Sequence, residues 1–271
     1  GIELEAYFFA RDGDGSWKPY ETPAAIVYGT GVMADPSGVI AEIMRRAEIA
    51  QIPVESINSE FDYPQWELTL EYADALTAVD NVFLFQQLAR ETAFEHGLKL
   101  TFLGKPIPEK SGSGLHVNMS LSSSDGHNAL VDTTAEDGIS TVARQCIAGL
   151  IEHHEGLAAL CAPTVNAYKR LQPGTLSGLF ANWGYDHRCA TVRVPAVIRC
   201  WRDAERGHAA LALEWLELRA PDRGFGARFG HASGAGAAGI GRPLSGAHRA
   251  QERALCPGAR ARPHLPARRR R

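Results

Sequence analysis

Hydrophobic and polar positions alternate at the start of the chain and change to a helical period farther on. Residues 2–9 have the two-residue spacing of a strand. After Pro36 the apolar positions recur at helical spacing, with Ser37 as the predicted N-cap of the first helix. In chain order, the pattern predicts a strand over 2–9, a helix over 38–50, strands over 54–60 and 65–70, a helix over 72–96, strands over 98–103 and 115–121, a helix over 137–160 and a strand over 190–198.

Strands and helices interleave irregularly in this pattern, without the repeated strand–helix–strand order of a Rossmann domain. The fold class predicted is therefore α+β, with an antiparallel or mixed sheet and flanking helices. No apolar run reaches the roughly 18 residues that a membrane helix needs, so a membrane partner is not expected.

The composition changes after about residue 199. Residues 201–271 consist mostly of Ala, Gly, Arg and Pro, and Ile240 is their only β-branched residue. This composition predicts no strand there and at most a short helix over 208–219. We predict a folded domain over 1–199 and an atypical basic tail over 200–271 that is foreign to the fold or disordered. A frame change near residue 197 of a GC-rich gene would explain such a tail, and the two other reading frames of the coding DNA test this hypothesis.

The formal net charge of −3 hides an asymmetry between these two parts. Residues 201–271 carry fourteen arginines and six acids, a net of +8, whereas the first 200 residues have a net of −11. A basic tail can contact nucleic acid, but its few aromatic residues suggest no stacking platform, so we do not expect this partner. The five cysteines include no CxxC pair, and their odd number argues against a disulfide framework and favours a cytoplasmic location.

Acidic residues form two of the candidate functional clusters. Glu3 and Glu5 are two positions apart on a predicted strand, so their side chains should face the same side. A cation between them would make that proximity tolerable, although a solvated strand face is the commoner meaning of such a pair. Glu60 and Glu67 flank the turn at residues 62–64, which can bring both carboxylates toward one centre.

A glycine-rich turn leads into the third cluster. The segment at 111–114 reads SGSG, and glycines allow a backbone to approach a charged ligand closely. His116, Asn118 and Ser120 follow on one face of the predicted strand, opposite an apolar face. The arrangement is typical of a site wall, and a surface strand is the alternative.

Arginines form the fourth cluster. The planar guanidinium of Arg170, Arg188 or Arg193 can bind two oxygens of a carboxylate or phosphate at once. Arg188 and Arg193 are an odd number of residues apart, so a regular strand would place them on opposite faces unless the preceding turn relaxes this. Carboxylates, a glycine turn with a histidine, and arginines together predict a divalent-cation and phosphate site, with oxygen ligands that suit Mg²⁺ or Mn²⁺.

The same segments resemble, in order, motifs of the catalytic domain of the glutamine synthetase family. Five matches carry the resemblance: 3–9 to the family's E-x-E-F-F strand, 60–67 to its E…GQxE element, 111–121 to NGSGMHxHxSL, 166–174 to NSYKRLxPG and 187–195 to NRSAxIRIP. The resemblance implies the family's fold and its reaction, in which ATP phosphorylates the γ-carboxylate of L-glutamate and ammonia or an amine displaces the phosphate. It also implies a homo-oligomer.

Site roles follow from the resemblance, residue by residue. One cation would be held by Glu5, Glu60 and Glu67, and the second by Glu3 and His116. Gly112, His116 and Arg170 would bind the substrate, with Arg170 on the glutamate carboxylate. Arg188 and Arg193 would face the ATP phosphates and the acyl-phosphate transition state. Ser120 would lie near the nucleotide.

Several positions depart from the family pattern. Pro64 stands where glycine is usual, Ser111 where asparagine is frequent, and Asn118 replaces the second histidine. Leu176 occupies the position, six residues after Arg170, of the acid that deprotonates ammonium in ammonia-using members. An uncharged side chain favours a larger, more apolar amine, so a γ-glutamyl-polyamine or γ-glutamyl-monoamine ligase is an alternative function.

Elements expected downstream are also missing from the sequence. The family's R-x-E-x-R and NPY elements do not follow Arg193, and Glu217 to Arg219 has the E-x-R form only farther along the chain. The resemblance therefore indicates a catalytic domain that is incomplete at both ends. A further alternative is an inactive piece that retains at most nucleotide or metal binding.

Overall fold

A nine-stranded sheet forms the centre of the fold. The structure, a computed structural model, describes residues 1–23 and 26–195 and the backbone of residues 211–213, all within one unit, Gly1–Arg223. The strands are β1 (Ile2–Arg11), β2 (Trp17–Pro19), β3 (Val54–Ser59), β4 (Gln65–Leu70), β5 (Leu98–Thr101), β6 (Leu115–Met119), β7 (Phe180–Tyr185), β8 (Ala190–Val194) and β9 (Leu211–Leu213). The helices are α1 (Val39–Ile49), α2 (Ala75–Glu95), α3 (Thr141–Glu152), α4 (His154–Cys161) and α5 (Val165–Tyr168).

The sheet is mixed but almost wholly antiparallel, as the sequence predicted. Its strand order is β3-β4-β1-β6-β9-β8-β7, and β2 and β5 also pair with the long strand β1. Within this sheet, only the β7–β8 pair is parallel. Because β1 pairs with four other strands, its side chains lie at the centre of the sheet.

Side-chain alternation along β1 separates the core from the site. Leu4 and Phe8 are buried in the main hydrophobic cluster, together with Leu68 of β4, Ile43 of α1 and Phe85 of α2. The side chains at the intervening positions of β1 point to the opposite side of the sheet. The face that α1 and α2 leave uncovered therefore carries the polar residues of β1, β4 and β6.

Helix α2 exists where the sequence predicted it, but its buried face differs from the expected one. Asp74 caps the helix by accepting a hydrogen bond from the backbone N–H of Thr77, and Gly97 follows its end. The larger apolar residues on which the prediction rested are mostly exposed, and Leu76 reaches 80%. Three alanines contribute much of the buried face and let the helix pack close to the sheet. The buried residues are Ala78, Val82, Phe85, Gln86, Ala89, Thr92 and Ala93.

Other element boundaries also differ from the predictions. At α1, Gly38 holds the N-cap position with a φ of 70°, and the Asp35 carboxylate accepts from the N–H of Ile40, so Ser37 is not the cap residue. The helix expected over 137–160 is two helices, which meet at His153. The prediction missed β2 and β7 because neither segment has a regular two-residue alternation.

One tail prediction is wrong. Leu211–Leu213 form β9, a strand that fills the space between β6 and β8, where the sequence indicated a helix over 208–219 and no strand. The unpaired backbone edges of two neighbouring strands provide the hydrogen-bonding partners that decide this conformation. The rest of the predicted tail lies outside the described residues, so the domain boundary near residue 199 remains a prediction.

Two further expectations concern the membrane and the cysteines. Among the described residues, no helix has the length and apolar character needed to cross a membrane. Cys146 and Cys161 have free thiols, whereas Cys189 is disulfide-bonded. The state of Cys189 therefore differs from the reduced state that the cysteine count favoured.

Candidate functional site

The register of three central strands gathers the predicted acidic residues at one place. In the antiparallel pairing, Glu5 of β1 lies opposite Glu67 of β4, and Glu3 lies opposite His116 of β6. Two groups of potential ligand atoms result, and within each group these atoms lie no more than 4.8 Å apart. We call Glu3, Glu67 and His116 the first acidic group, and Glu5, Glu60 and Glu67 the second acidic group.

Glu67 belongs to both acidic groups, which the sequence did not indicate. The motif resemblance assigned it to one cation together with Glu5 and Glu60. Because it stands opposite Glu5 and near the Glu3–His116 pair, its carboxylate reaches both clusters. The two groups are thus one continuous constellation, joined by a single side chain.

A tight hairpin places Glu60 in the second acidic group. The backbone N–H of Glu60 donates to the carbonyl of Gln65 over 2.8 Å, which closes the turn between β3 and β4. The Tyr63–Pro64 peptide bond within this turn is cis. The closure brings Glu60 back toward Glu67, as the sequence predicted.

Hydrogen bonds orient the side chains of the first acidic group. One oxygen of Glu3 lies 2.8 Å from Nδ1 of His116, and the other accepts from the amide of Asn118 over 2.9 Å. His116 Nε2 lies 3.7 Å from an oxygen of Glu5. His116 and Asn118 therefore share one strand face, as predicted, and the hydrogen bond to Glu3 orients the imidazole ring.

Gln65 is a site residue to which the sequence analysis gave no role. Its buried side-chain amide donates to Oε2 of Glu5 and to the carbonyl of Gly112, both over 3.0 Å. The same Glu5 oxygen accepts from the N–H of Gly114 over 2.7 Å, which leaves Oε1 to face His116. A polar residue two positions before Glu67, hence on the same strand face, was the available signal.

The electrostatics of the constellation favour an added cation. Burial, together with the neighbouring carboxylates of Glu3 and Glu5, raises the pKa of Glu67 from 4.5 to about 7. Burial and Glu5 also raise the pKa of Glu60. Burial acts in the same direction on Glu3, but hydrogen bonds from His116 and Asn118 outweigh it and lower its pKa. Carboxylate oxygens with one imidazole nitrogen suit a hard divalent cation, so the donor set fits such an ion.

The structure places Arg170 against the glycine segment with which the resemblance had paired it. Arg170 is buried, and a Cβ built on Gly112 would lie 2.4 Å from its Cγ. A Cβ on Gly114 would lie 2.8 Å from a guanidinium nitrogen of Arg170 and 3.2 Å from Nε2 of His116. Glycine is favoured at 112 because Arg170 and the carbonyl oxygen of Gly104 occupy the space that a side chain would need, and at 114 because Arg170 and His116 do so.

The other predicted residues lie around the constellation at different distances. Arg188, in the turn before β8, acts on the charge of Glu60, and Arg193 on β8 acts on Glu3. Both arginines are therefore close enough to the constellation for their positive charges to lower the pKa of one of its carboxyl groups. Ser120 follows the last residue of β6, is exposed and belongs to neither acidic group.

We expect the metal-free protein to lose stability as the pH rises from about 4.5 to about 7. The pKa of Glu67 is about 7 in the fold against an ordinary 4.5, so the folded state retains a proton that the unfolded state loses. Urea unfolding at pH 5 and pH 7.5 with EDTA measures the change, and Glu67→Gln should reduce it. If the free energy of unfolding had the same pH dependence in Glu67→Gln and in the unaltered chain, Glu67 would not be the group with the raised pKa.

The fold and the site together define a class of protein. It is an α+β domain in which two joined groups of carboxylates, on one face of the sheet, form candidate sites for two divalent cations. The chain belongs to the glutamine synthetase family: the family model for the glutamine synthetase catalytic domain matches residues 1–224. This match confirms the family that the five sequence motifs indicated.

Individual relatives agree with this family. The chain is 41% identical over 169 residues to a glutamine synthetase of Clostridium saccharobutylicum, covering 62% of this chain and 35% of that protein. It is 32% identical over 204 residues to the gamma-glutamylputrescine synthetase PuuA of Escherichia coli, covering 72% of this chain and 43% of that one. A solved structure of GmaS without ligand is similar, with a TM-score of 0.64 and 30% sequence identity. The similarity covers 80% of this chain and 48% of the GmaS chain. The chain thus spans less than half the length of these relatives.

Proposed function

We propose that this chain carries part of the active site of an ATP-dependent ligase. The ligase would join the γ-carboxylate of L-glutamate to ammonia or an amine through γ-glutamyl phosphate. The observation that carries the proposal is the placement of Glu67 in both acidic groups, beside a buried arginine on a glycine segment. Family membership supports the reaction class.

Each group of residues has a part in this mechanism. Glu5, Glu60 and Glu67 would hold one Mg²⁺ or Mn²⁺ ion, and Glu3, Glu67 and His116 the other. When bound, such ions neutralise phosphate charge and polarise the transferring phosphoryl group. Gln65 and Gly114 keep the Glu5 carboxylate oriented, and His116 and Asn118 do so for Glu3.

The arginines would act on the anionic substrates. Arg170 lies beside Gly112, so its guanidinium can bind the carboxylate of glutamate where the backbone permits close approach. Arg188 and Arg193 would face ATP phosphates and stabilise the charge that develops during phosphoryl transfer. Ser120, exposed beyond β6, would contact the nucleotide at the edge of the site.

An amine larger than ammonia is the second candidate acceptor. Leu176 stands where ammonia-using members have an acid, and its side chain is 44% exposed, so it can contribute an apolar surface to an acceptor pocket. The similarity to PuuA and GmaS supports this branch. Nucleotide or metal binding without turnover is the third candidate, since the chain spans less than half of the relatives' length.

Glutamate-dependent ADP release by the 271-residue chain tests the proposal. We expect release with ATP, a divalent cation and glutamate, and faster release when ammonia, methylamine or putrescine is added. Leu176→Asp should shift the preference from amines toward ammonia, because the new carboxylate can hold and deprotonate ammonium. Cation and ATP binding without ADP release under any condition would support the third candidate and contradict the first two.

A further inference from the structure

The backbone from Ser111 to Gly114, here called the glycine loop, is held at its first residue by two side chains from distant parts of the chain. The N–H of Ser111 donates to Oδ2 of Asp62 over 2.6 Å. The hydroxyl of Tyr7, on the site face of β1, donates to the Ser111 carbonyl over 2.8 Å. Both backbone polar groups of Ser111 are therefore fixed by partners outside the loop.

The second oxygen of Asp62 makes a separate contact. Lys110 Nζ lies 3.1 Å from Oδ1 of Asp62, and both side chains are about one-third exposed. The carbonyl of Lys110 accepts a hydrogen bond from the buried ammonium of Lys105. The Asp62 carboxylate thus binds two consecutive residues at the entry of the glycine loop: the side chain of Lys110 and the backbone N–H of Ser111.

The same hairpin also holds the middle of the loop. Gln65, which begins β4, donates to the carbonyl of Gly112 and to Glu5. Its own backbone N–H donates to the carbonyl of Asp62 over 3.3 Å, within the turn that positions Glu60. The hairpin between β3 and β4 therefore supplies both a carboxylate of the second acidic group and two of the supports of the glycine loop.

We propose that Asp62 is a positioning residue for the glutamate substrate, because it ties the glycine loop to the hairpin that carries Glu60. The proposal rests on the function proposed above, in which Gly112 and Arg170 bind glutamate. A carboxylate that accepts from a backbone N–H makes a stronger hydrogen bond than a neutral acceptor. In this proposal Asp62 acts on the substrate through the loop, so its loss should affect substrate binding more than the chemical step.

Three variants of the full chain separate the contacts of Asp62. Asp62→Ala removes both contacts, Asp62→Asn keeps a neutral acceptor for the Ser111 N–H, and Lys110→Met removes only the ion pair. If the hydrogen bond to Ser111 positions the loop, Asp62→Ala should have the largest effect on the loop and on glutamate binding, Asp62→Asn a smaller one and Lys110→Met the smallest. Lys110→Met serves as the matched control, since exposed ion pairs contribute little.

Two measurements test the proposal. NMR hydrogen exchange of the Ser111 amide should be at least about tenfold faster in Asp62→Ala, because the N–H loses its acceptor. The KM for glutamate in ADP release should rise about tenfold, while kcat stays within about threefold of the original value. In Asp62→Asn, the exchange rate and the KM should lie between those of Asp62→Ala and those of the unaltered chain. In Lys110→Met, both should match the unaltered chain.

The outcomes distinguish this proposal from the proposed function. Unchanged exchange in Asp62→Ala overturns the role of Asp62 whatever the activity. Faster exchange with an unchanged KM, or a fall in kcat alone, shows that Asp62 holds the loop without positioning glutamate and also overturns it. If the unaltered chain neither binds glutamate nor releases ADP with it, the proposed function fails, and the positioning role fails with it.

Discussion

Glu67→Gln should weaken Mn²⁺ binding to both acidic groups at once, and this is the largest binding effect that we expect from one substitution. Glu67 is the single side chain shared by the two groups. Loss of a residue that merely supports a metal ligand costs about 10- to 100-fold in affinity, so loss of a shared ligand should cost at least about tenfold at each site. Titration calorimetry, or the electron paramagnetic resonance of free Mn²⁺, measures both sites.

The stability of the same variant should change in the opposite direction. Without metal, Glu67→Gln should raise the unfolding temperature near pH 7.5, because burial and the carboxylates of Glu3 and Glu5 disfavour the charged side chain. With Mn²⁺ present, the unaltered chain should gain more stability than the variant, since a ligand that binds the folded state stabilises it. The opposing signs separate loss of a ligand from general damage to the fold.

Matched substitutions make the test specific. Glu48→Gln changes an exposed acid on α1 outside both groups and should leave Mn²⁺ binding and stability unchanged. Glu60→Gln and Glu3→Gln should each weaken one site, because each residue belongs to only one group. If Glu67→Gln also weakened a single site, the shared position of Glu67 would be wrong.

Gly112→Ala should disrupt the site more than any other single methyl group added to the glycine loop. The new Cβ would lie 2.4 Å from Cγ of Arg170 and 2.5 Å from the carbonyl oxygen of Gly104. Relief requires a shift of about 1 Å, and overpacking of this kind costs about 1–3 kcal/mol or more. A displacement of that size can lower turnover about 100-fold. Urea unfolding and ADP release measure the two effects.

A second glycine and a double variant control this prediction. Gly149→Ala, on α3, adds a Cβ that meets nothing within 4 Å. Because alanine favours a helix interior, it should stabilise the protein by about 0.5–1 kcal/mol. Arg170→Ala combined with Gly112→Ala should recover only part of the stability, since the Gly104 carbonyl oxygen at 2.5 Å and the Cβ of residue 170 at 2.9 Å still block the new methyl group. Full recovery would mean that only the Arg170 side chain beyond its Cβ restricts the loop.

Local patterns correctly predicted the elements in which the spacing of apolar residues matches the positions that are buried. The alternation at the start of the chain predicted β1 and the shared face of Glu3 and Glu5, and the structure agrees. The same reasoning misjudged α2, because large apolar residues such as Leu76 and Phe94 lie on its outer face. Hydrophobicity alone does not reveal that alanines allow closer helix–sheet packing.

The motifs, by contrast, predicted the members of the site better than their connections. Glu3 and His116, which the resemblance assigned to one cation, are hydrogen-bonded to each other although they are 113 residues apart. The sharing of Glu67, and the support that Gln65 gives to Glu5, follow from strand register, which no single motif encodes. Asp62 was visible only as a turn residue, because its partner Ser111 lies 49 residues away.

By itself, the sequence determined the fold class and the family, and it predicted the acidic and basic residues of the candidate site, because alternation and motif order are local properties. The tertiary structure decided how β1 pairs with β4 and β6, and hence that the five side chains of the two acidic groups form one constellation. It also decided that Leu211–Leu213 form a strand, since the edges of β6 and β8 supply hydrogen-bonding partners that the composition does not reveal.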